Sequence, residues 1–408
     1  MRLAESLSLP CGQVVPNRIL KSAMSEILGS SSHAPTPALA TLYGRWARGG
    51  VGLAVTGNVM VDGRALGEPG NVVVEDDRDL EALAAWAAAG TAGGTQLWMQ
   101  LNHPGKQSPK FLNAETVAPS AVGFGPALAP AFGVPRALEE AEIEALIERF
   151  GSSAAVAKRA GFSGVQIHGA HGYLVSQFLS PHHNRRTDRW GGSLDGRARF
   201  VREVYREIRR RVGPELAVGI KINSADFQQG GFSEAESAEV IASLAEAGMD
   251  LVEVSGGTYE APAMAGKRLG ESTRAREGYF LSFVERVRGD VSVPLAVTGG
   301  FRTVAGMEAA LCGGAADMVG LARTLAVQPD FPKQALAGDD PESAVRHLST
   351  GVKAIDKLSM LDVTWYENQL ARMGAGKEPQ PSMGAWRSLA GTLWAQGSQA
   401  FKIRRAKG

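Results

Sequence analysis

The sequence predicts an α/β protein built as a closed (β/α)8 TIM barrel, with an N-terminal extension, a lid insertion after the third strand and a C-terminal helical tail. Three observations predict it. Short apolar or β-branched runs alternate with longer segments of helical spacing along most of the chain, as parallel strands joined by crossover helices require. Eight such runs occur, the number a closed barrel needs. The chain also holds 50 glycines among 408 residues, well above the usual share of about 7%, in keeping with many tight turns. Alternation alone leaves a doubly wound open sheet as the competing architecture.

In chain order the strand candidates are Ile19–Met24, Gly52–Thr56, Gln96–Leu101, Gly164–His168, Ala217–Ile222, Leu251–Val254, Leu295–Thr298 and Met318–Gly320. Helical spacing marks Glu139–Ala160, Gly196–Val212 and Glu234–Ala247. Gly161, Gly213 and Gly248 follow these three, where a left-handed cap is expected. Two stretches stand outside the repeat. Pro104–Pro135, rich in Pro, Gly and Phe, follows the third strand on the face where barrel sites are built, and reads as a lid or pocket wall, with a passive loop as the rival. The chain therefore divides into a barrel over 1–340 and a tail over 341–408. In that tail Ser382–Lys407 mixes Trp386, Leu389, Leu393, Trp394 and Phe401 with Arg404, Arg405 and Lys407. Packing on the barrel or on a second subunit is the expected use, so a homo-oligomer stays open; an amphipathic membrane-surface helix is the alternative.

Composition excludes several function classes. Apolar residues make up 44% and charged residues 21%, which rules out disorder. Forty-three basic against 42 acidic side chains leave a formal charge of +1, too small a field to recruit nucleic acid or an anionic membrane. Two cysteines, Cys11 and Cys312, exclude a disulfide scaffold, a Cys-rich zinc site and a four-thiolate iron–sulfur cluster. The opening MRLAESLSLP lacks the basic-then-apolar run of a signal peptide, and a cytoplasmic location is expected.

The densest chemical signal closes the fourth strand: HGAHGYL, His168–Leu174, followed by SPHHNRRTDRWGGS. His168 and His171 are three residues apart and Tyr173 two further on. Two imidazoles there can hydrogen-bond one oxygen and stabilise charge developing on it; a tyrosine beside them can deliver a proton. A metal site is the rival, but no carboxylate or thiolate stands nearby at ligand spacing. VTGGF (Val297–Phe301) and VGLAR (Val319–Arg323) follow strands seven and eight, where barrels bind phosphate with loop N–H groups and a helix N-terminus, here with Arg323 in reach. Lys221 lies in an apolar strand and needs a counter-charge, either an anion in the barrel mouth or Asp226. Gln100 and Ser25 occupy comparable strand ends and suit a heteroaromatic ring with donors and acceptors.

Taken together these segments resemble the Old Yellow Enzyme family of FMN-dependent ene-reductases. NRILKSAMS (Asn17–Ser25) is similar to that family's first strand and MQLNHPGK to its third; GFSGVQIHGAHGYLVSQFLSPHHNRRTDRWGGS is the most specific match. The resemblance spans roughly the first 335 residues, its fold is a (β/α)8 barrel, and it implies FMN with NADPH or NADH as reductant. It implies a phosphate site at Gly300, Ala322 and Arg323, and a ring met by Ser22, Ala23, Met24, Ser25, Gly57 or Asn58, Gln100, His168 and Lys221. It casts His168 and His171 as the grip on a substrate carbonyl and Tyr173 as proton donor in reduction of an α,β-unsaturated carbonyl compound. Lys221 stands where many members have Arg, Ala23 replaces a frequent Pro, Ser25 a frequent Thr or Cys, and Ala322 a Gly. A flavin dehydrogenase, a nitro or xenobiotic reductase, and a non-catalytic flavin binder are the alternative functions.

Overall fold

The structure, a computed structural model, describes residues 1–261, 277–352, 355–356 and 361–396. Eight parallel strands close on themselves: β1 (Ile19–Lys21), β2 (Leu53–Met60), β3 (Gln96–Asn102), β4 (Gly164–Gly169), β5 (Ala217–Asn223), β6 (Leu251–Ser255), β7 (Leu295–Thr298) and β8 (Met318–Leu321). Each pairs in parallel with its neighbour, and β8 returns to β1, which pairs with β2. The open-sheet alternative falls on that closure.

Strand alternation sorts the side chains into two cores. Outward residues such as Val165, Ile167, Val218, Ile220, Val252 and Val254 pack under the helices. Inward residues Leu20, Leu53, Val55, Trp98, Ala217, Leu251, Ala296 and Met318 fill the barrel's lower half. Trp98 decides two sequence positions there. A Cβ on Gly164 would lie 2.6 Å from its indole Cδ1, and one on Gly219 2.6 Å from its Cζ3, so β4 and β5 carry glycine at these points. Above this apolar plug the inward positions turn polar.

The three anticipated helices are Glu140–Arg159, Leu194–Val212 and Glu234–Glu246, and Gly161, Gly213 and Gly248 have φ of 88°, 73° and 94°. Ser233 and Glu236 form a reciprocal capping box at the third. The first strand is shorter than expected. It ends at Lys21 because Ser22 N–H makes a last bond to Leu321 O, after which residues 23–25 leave the ladder.

The insertion is a packed wall. Gly105–Gln107 forms a buried 3-10 turn, Phe124 and Phe132 meet at 4.8 Å between ring centroids, and Leu128 and Ala131 complete a small apolar cluster. In the tail, helix Leu361–Gly374 packs on helices Pro37–Arg48 and Arg323–Val327, with Trp365 fully buried. Helix Ala385–Gln396 joins it through Asn368, whose Nδ2 donates to Ser388 O at 3.0 Å. On that helix Trp386 and Leu393 are exposed; the Trp394 side chain, Phe401, Arg404, Arg405 and Lys407 lie outside the described residues. No helix among the described residues is long and apolar enough to cross a membrane.

Candidate functional site

The polar upper layer of the barrel is one network. Lys221 Nζ lies 3.0 Å from Glu253 Oε1, and Glu253 also accepts from Thr298 Oγ1 at 2.7 Å and Gln166 Nε2 at 2.8 Å. Gln100 Nε2 donates to Gln166 Oε1 at 2.7 Å, and Ser22 and Thr298 share a hydroxyl contact of 2.7 Å. Register explains the meeting: Lys221 pairs with His168 on one side and Glu253 on the other, all three facing inward. Lys221 therefore finds its counter-charge in Glu253, and not in Asp226, the alternative to an anion in the barrel mouth. Asp226 instead accepts from Asn223 Nδ2 at 3.1 Å and Phe232 N–H at 3.0 Å. Burial pushes the Glu253 carboxyl up, but Lys221, Thr298 and Gln166 outweigh it and hold the group below the usual carboxylate range.

The histidines and tyrosine meet at the top of β4. His168 Nδ1 is 2.9 Å from Asn58 Oδ1, His168 Nε2 is 3.2 Å from His171 Nδ1, and His171 Nε2 is 2.9 Å from Ser255 Oγ. With both rings neutral, one set of roles satisfies the chain. Ser255 donates to His171, His171 Nδ1–H donates to His168, and His168 Nδ1–H donates to Asn58. Burial, with His171 and Lys221 nearby, holds His168 well below the ordinary imidazole value, so it is neutral at pH 7. The rings thus bond one another, where the sequence pattern suggested that both turn to one oxygen. An oxygen placed between them takes the N–H that His171 gives to His168; His168 adds a second only when its Nε2 carries a proton. His171 holds this position in a left-handed conformation, φ 63°, an uncommon state for a non-glycine residue that marks a functional constraint. Tyr173 lies against His168, ring centroids 4.6 Å apart, its hydroxyl 2.7 Å from the Tyr259 hydroxyl and accepting from Asn58 Nδ2 at 3.4 Å.

A second buried network shapes the rim between β1 and β2. Lys21 points outward, its ammonium donating to Val55 O at 2.7 Å and Tyr43 OH at 2.9 Å and lying 4.5 Å from the Trp46 ring centroid. Burial pulls it down to about 8. Glu26 accepts from the Tyr43 hydroxyl and, at 2.9 Å, from Gly57 N–H. That bond draws the β2 backbone into an irregularity between Val55 and Asn58, which brings Asn58 into register with Gln100 and lets it reach His168 and Tyr173. Ala23, Met24 and Ser25 are half-buried beside it, and the Ser25 hydroxyl donates to the buried Glu68.

At the far rim the turn after β7 carries Gly299 and Gly300 at φ 124° and 90°. It lies beside Ala322 and Arg323, because β7 and β8 run in register, Thr298 opposite Gly320. Ala322 has φ −125°, so this position does not call for the left-handed freedom of the family's glycine. Arg323 is exposed and opens the helix Arg323–Val327.

These residues fit FMN. The Gly300 turn and Arg323 offer N–H groups and a guanidinium to a phosphate. Gln100, Lys221 and Ser25, on β3, β5 and just past the end of β1, offer donors and acceptors around the mouth. Asn102, two residues beyond Gln100 on the same inward row, is 1% exposed and neither amide atom has a partner among the described residues. A buried amide left so costs about 1–3 kcal/mol, which a ligand would relieve. Among the described residues no three His, Cys, Asp or Glu side chains gather as a metal ion would need. Sequence reading missed Glu253, Ser255, Tyr259, Glu68 and Asn102. Glu253 alone carried a signal, an acid inside the apolar run LVEVS.

Comparison with known proteins agrees with this geometry. The profile of the NADH:flavin oxidoreductase / NADH oxidase family matches residues 12–340. An NADH-dependent flavin oxidoreductase of Hypocrea jecorina (strain QM6a) is 39% identical over 351 residues, 80% of this chain and 87% of that protein. A protein of the same description from Neonectria sp. (strain DH2) is 40% identical over 362 residues, 82% of this chain. The chain spans 47% of that relative's length. Among solved structures, morphinone reductase superposes with a TM-score of 0.72 at 25% identity, covering 84% of this chain and 91% of that one.

Proposed function

This chain belongs to the NADH:flavin oxidoreductase / NADH oxidase family, the Old Yellow Enzyme family, and on that premise we propose that it reduces the activated C=C bond of α,β-unsaturated carbonyl compounds. It is an FMN-dependent oxidoreductase drawing on NADH or NADPH. The observation that carries the finer reading is the placement of the Tyr173 hydroxyl beside the His168–His171 pair in one hydrogen-bonded cluster at the barrel mouth. An oxygen clamp with an acid next to it suits a substrate that gains negative charge on oxygen and a proton on carbon.

FMN, when bound, would supply the two-electron chemistry that links oxidation of the nicotinamide to reduction of the alkene. The protein's residues do the rest. Gly300, Ala322 and Arg323 would hold the phosphate; Ser22, Ala23, Met24, Ser25, Gly57, Asn58, Gln100, His168 and Lys221 would meet the ring. His171 Nδ1–H, oriented by the Ser255 bond to its other nitrogen, binds the substrate carbonyl oxygen and stabilises the enolate, and His168 beside it joins this grip when its Nε2 carries a proton. Tyr173 delivers the proton to the α-carbon. The paired Lys221 and Glu253 keep the mouth close to electrically balanced.

Anaerobic mixing tests this. NADH or NADPH bleaches the yellow flavin, and 2-cyclohexenone then restores its colour; bleaching with no enone-dependent reoxidation sinks the reading. Tyr173→Phe should slow reoxidation by about 10²–10⁴-fold, the span of a lost general acid, and leave bleaching unchanged.

A further inference from the structure

The insertion and the loop after β6 converge on the proton donor: Tyr259 of the loop meets its hydroxyl, and the insertion packs against Tyr259. Tyr173 Oη receives Asn58 Nδ2, whose amide orientation is fixed because its Oδ1 accepts from His168. A second close neighbour, among the described residues, is the Tyr259 hydroxyl at 2.7 Å, the rings meeting edge to face at 5.8 Å. A phenol has one proton to give and two lone pairs. If Tyr259 and the Asn58 amide both donate, they occupy the lone pairs and spend none of the Tyr173 proton.

Tyr259 is itself held from two directions. Its ring packs on Leu128, Ala131 and Phe132 of the insertion. Glu260, the next residue, meets Lys106 Nζ at 3.1 Å, and Lys106 is buried at the insertion's start with its ammonium 4.1 Å from the Phe124 ring centroid. A buried ion pair is a poor source of stability but a good way to fix a position.

We propose that Tyr259 is the positioning residue for the acid: it donates to the Tyr173 oxygen, stabilises the tyrosinate left when the proton departs, and then resupplies that proton. This rests on Tyr173 acting as proton donor. The Tyr173 O–H bond breaks as the C–H bond forms at the substrate α-carbon. The Tyr259 proton passes to the Tyr173 oxygen, and Tyr259, half-buried, is reprotonated by solvent water. One solvent proton is consumed per alkene reduced. Among the described residues, the charged and titratable groups around the pair include His168 and His171 on β4 and its loop, Lys106 in the insertion, and Glu260 beside Tyr259.

The test compares the flavin-loaded chain with Tyr259→Phe, both checked for flavin content and circular dichroism. Bleaching by NADH is unchanged in the variant. Reoxidation by 2-cyclohexenone slows about tenfold, and its alkaline limb moves to higher pH, because an unassisted Tyr173 ionises less readily. Tyr259→Gln, whose amide still donates, recovers part of the pH shift. Near-ultraviolet titration of tyrosinate gives a second readout that needs no turnover: the hydroxyl that disappears in Tyr173→Phe titrates at higher pH in Tyr259→Phe than in the unsubstituted chain. An unchanged titration midpoint overturns the inference, whatever the enone does. Failure of 2-cyclohexenone to reoxidise the unsubstituted enzyme, with the midpoint shifted as expected, refutes alkene reduction and leaves the hydroxyl pair standing.

Discussion

Glu253 sits fully buried on β6 and answers Lys221 across one strand spacing, with two further hydrogen bonds on its carboxylate. Removing one partner of such a pair leaves a charge without compensation, at a cost of about 3–5 kcal/mol. Glu253→Ala should therefore lower stability by that amount, read as the urea midpoint. Glu253→Gln, able to keep partners at Thr298 and Gln166, should lose clearly less; equal losses would mean the cation is balanced elsewhere. The sequence exposed Lys221 by the cost of burying it in an apolar strand, and the same reasoning marks Glu253, but only strand register shows that the two meet. His168, His171 and Tyr173 were legible because they lie within six residues of one another. Asn58, Ser255 and Tyr259 come from other strands and loops, and no local spacing announces them.

At the scale of elements, the turn NHPGK after β3 carries the clearest pH dependence. His103 is buried, with Nδ1 accepting from Gly105 N–H at 3.1 Å. Burial, against some help from Asp62, pulls it down to about 4. Between that value and the ordinary 6.5 the unfolded chain binds a proton that the folded one refuses, so stability rises with pH through this window. Acidifying from pH 6.5 to 4 should remove about 3 kcal/mol through this residue. His103→Asn, which keeps an acceptor for Gly105, should flatten the decline in urea midpoint between pH 7 and 4.5; an unaltered slope would refute the assignment. The eight strands were readable from apolar periodicity to within a few residues. Two departures were not. β1 stops early because residues 23–25 leave the ladder for the rim, and β2 is irregular because Glu26 draws in Gly57 N–H, both decided by tertiary partners.

For the whole molecule, the tail is a structural question the sequence left between barrel and partner subunit. Trp365 anchors its first helix, fully buried and donating through Nε1 to Met383 O at 2.9 Å. Trp365→Ala should cost about 3–5 kcal/mol. That helix also packs on the helix begun by Arg323, so flavin content per chain should fall together with the melting temperature. A lower melting temperature with full flavin content would confine the tail to a stabilising part. The insertion reaches further in a different sense. Its aromatic cluster touches Tyr259, and its Lys106 tethers the neighbouring Glu260. A segment transplanted here from a cousin to broaden the range of acceptable alkenes would bring its own acidity setting with it. In this scaffold, selectivity and protonation are inherited as a package.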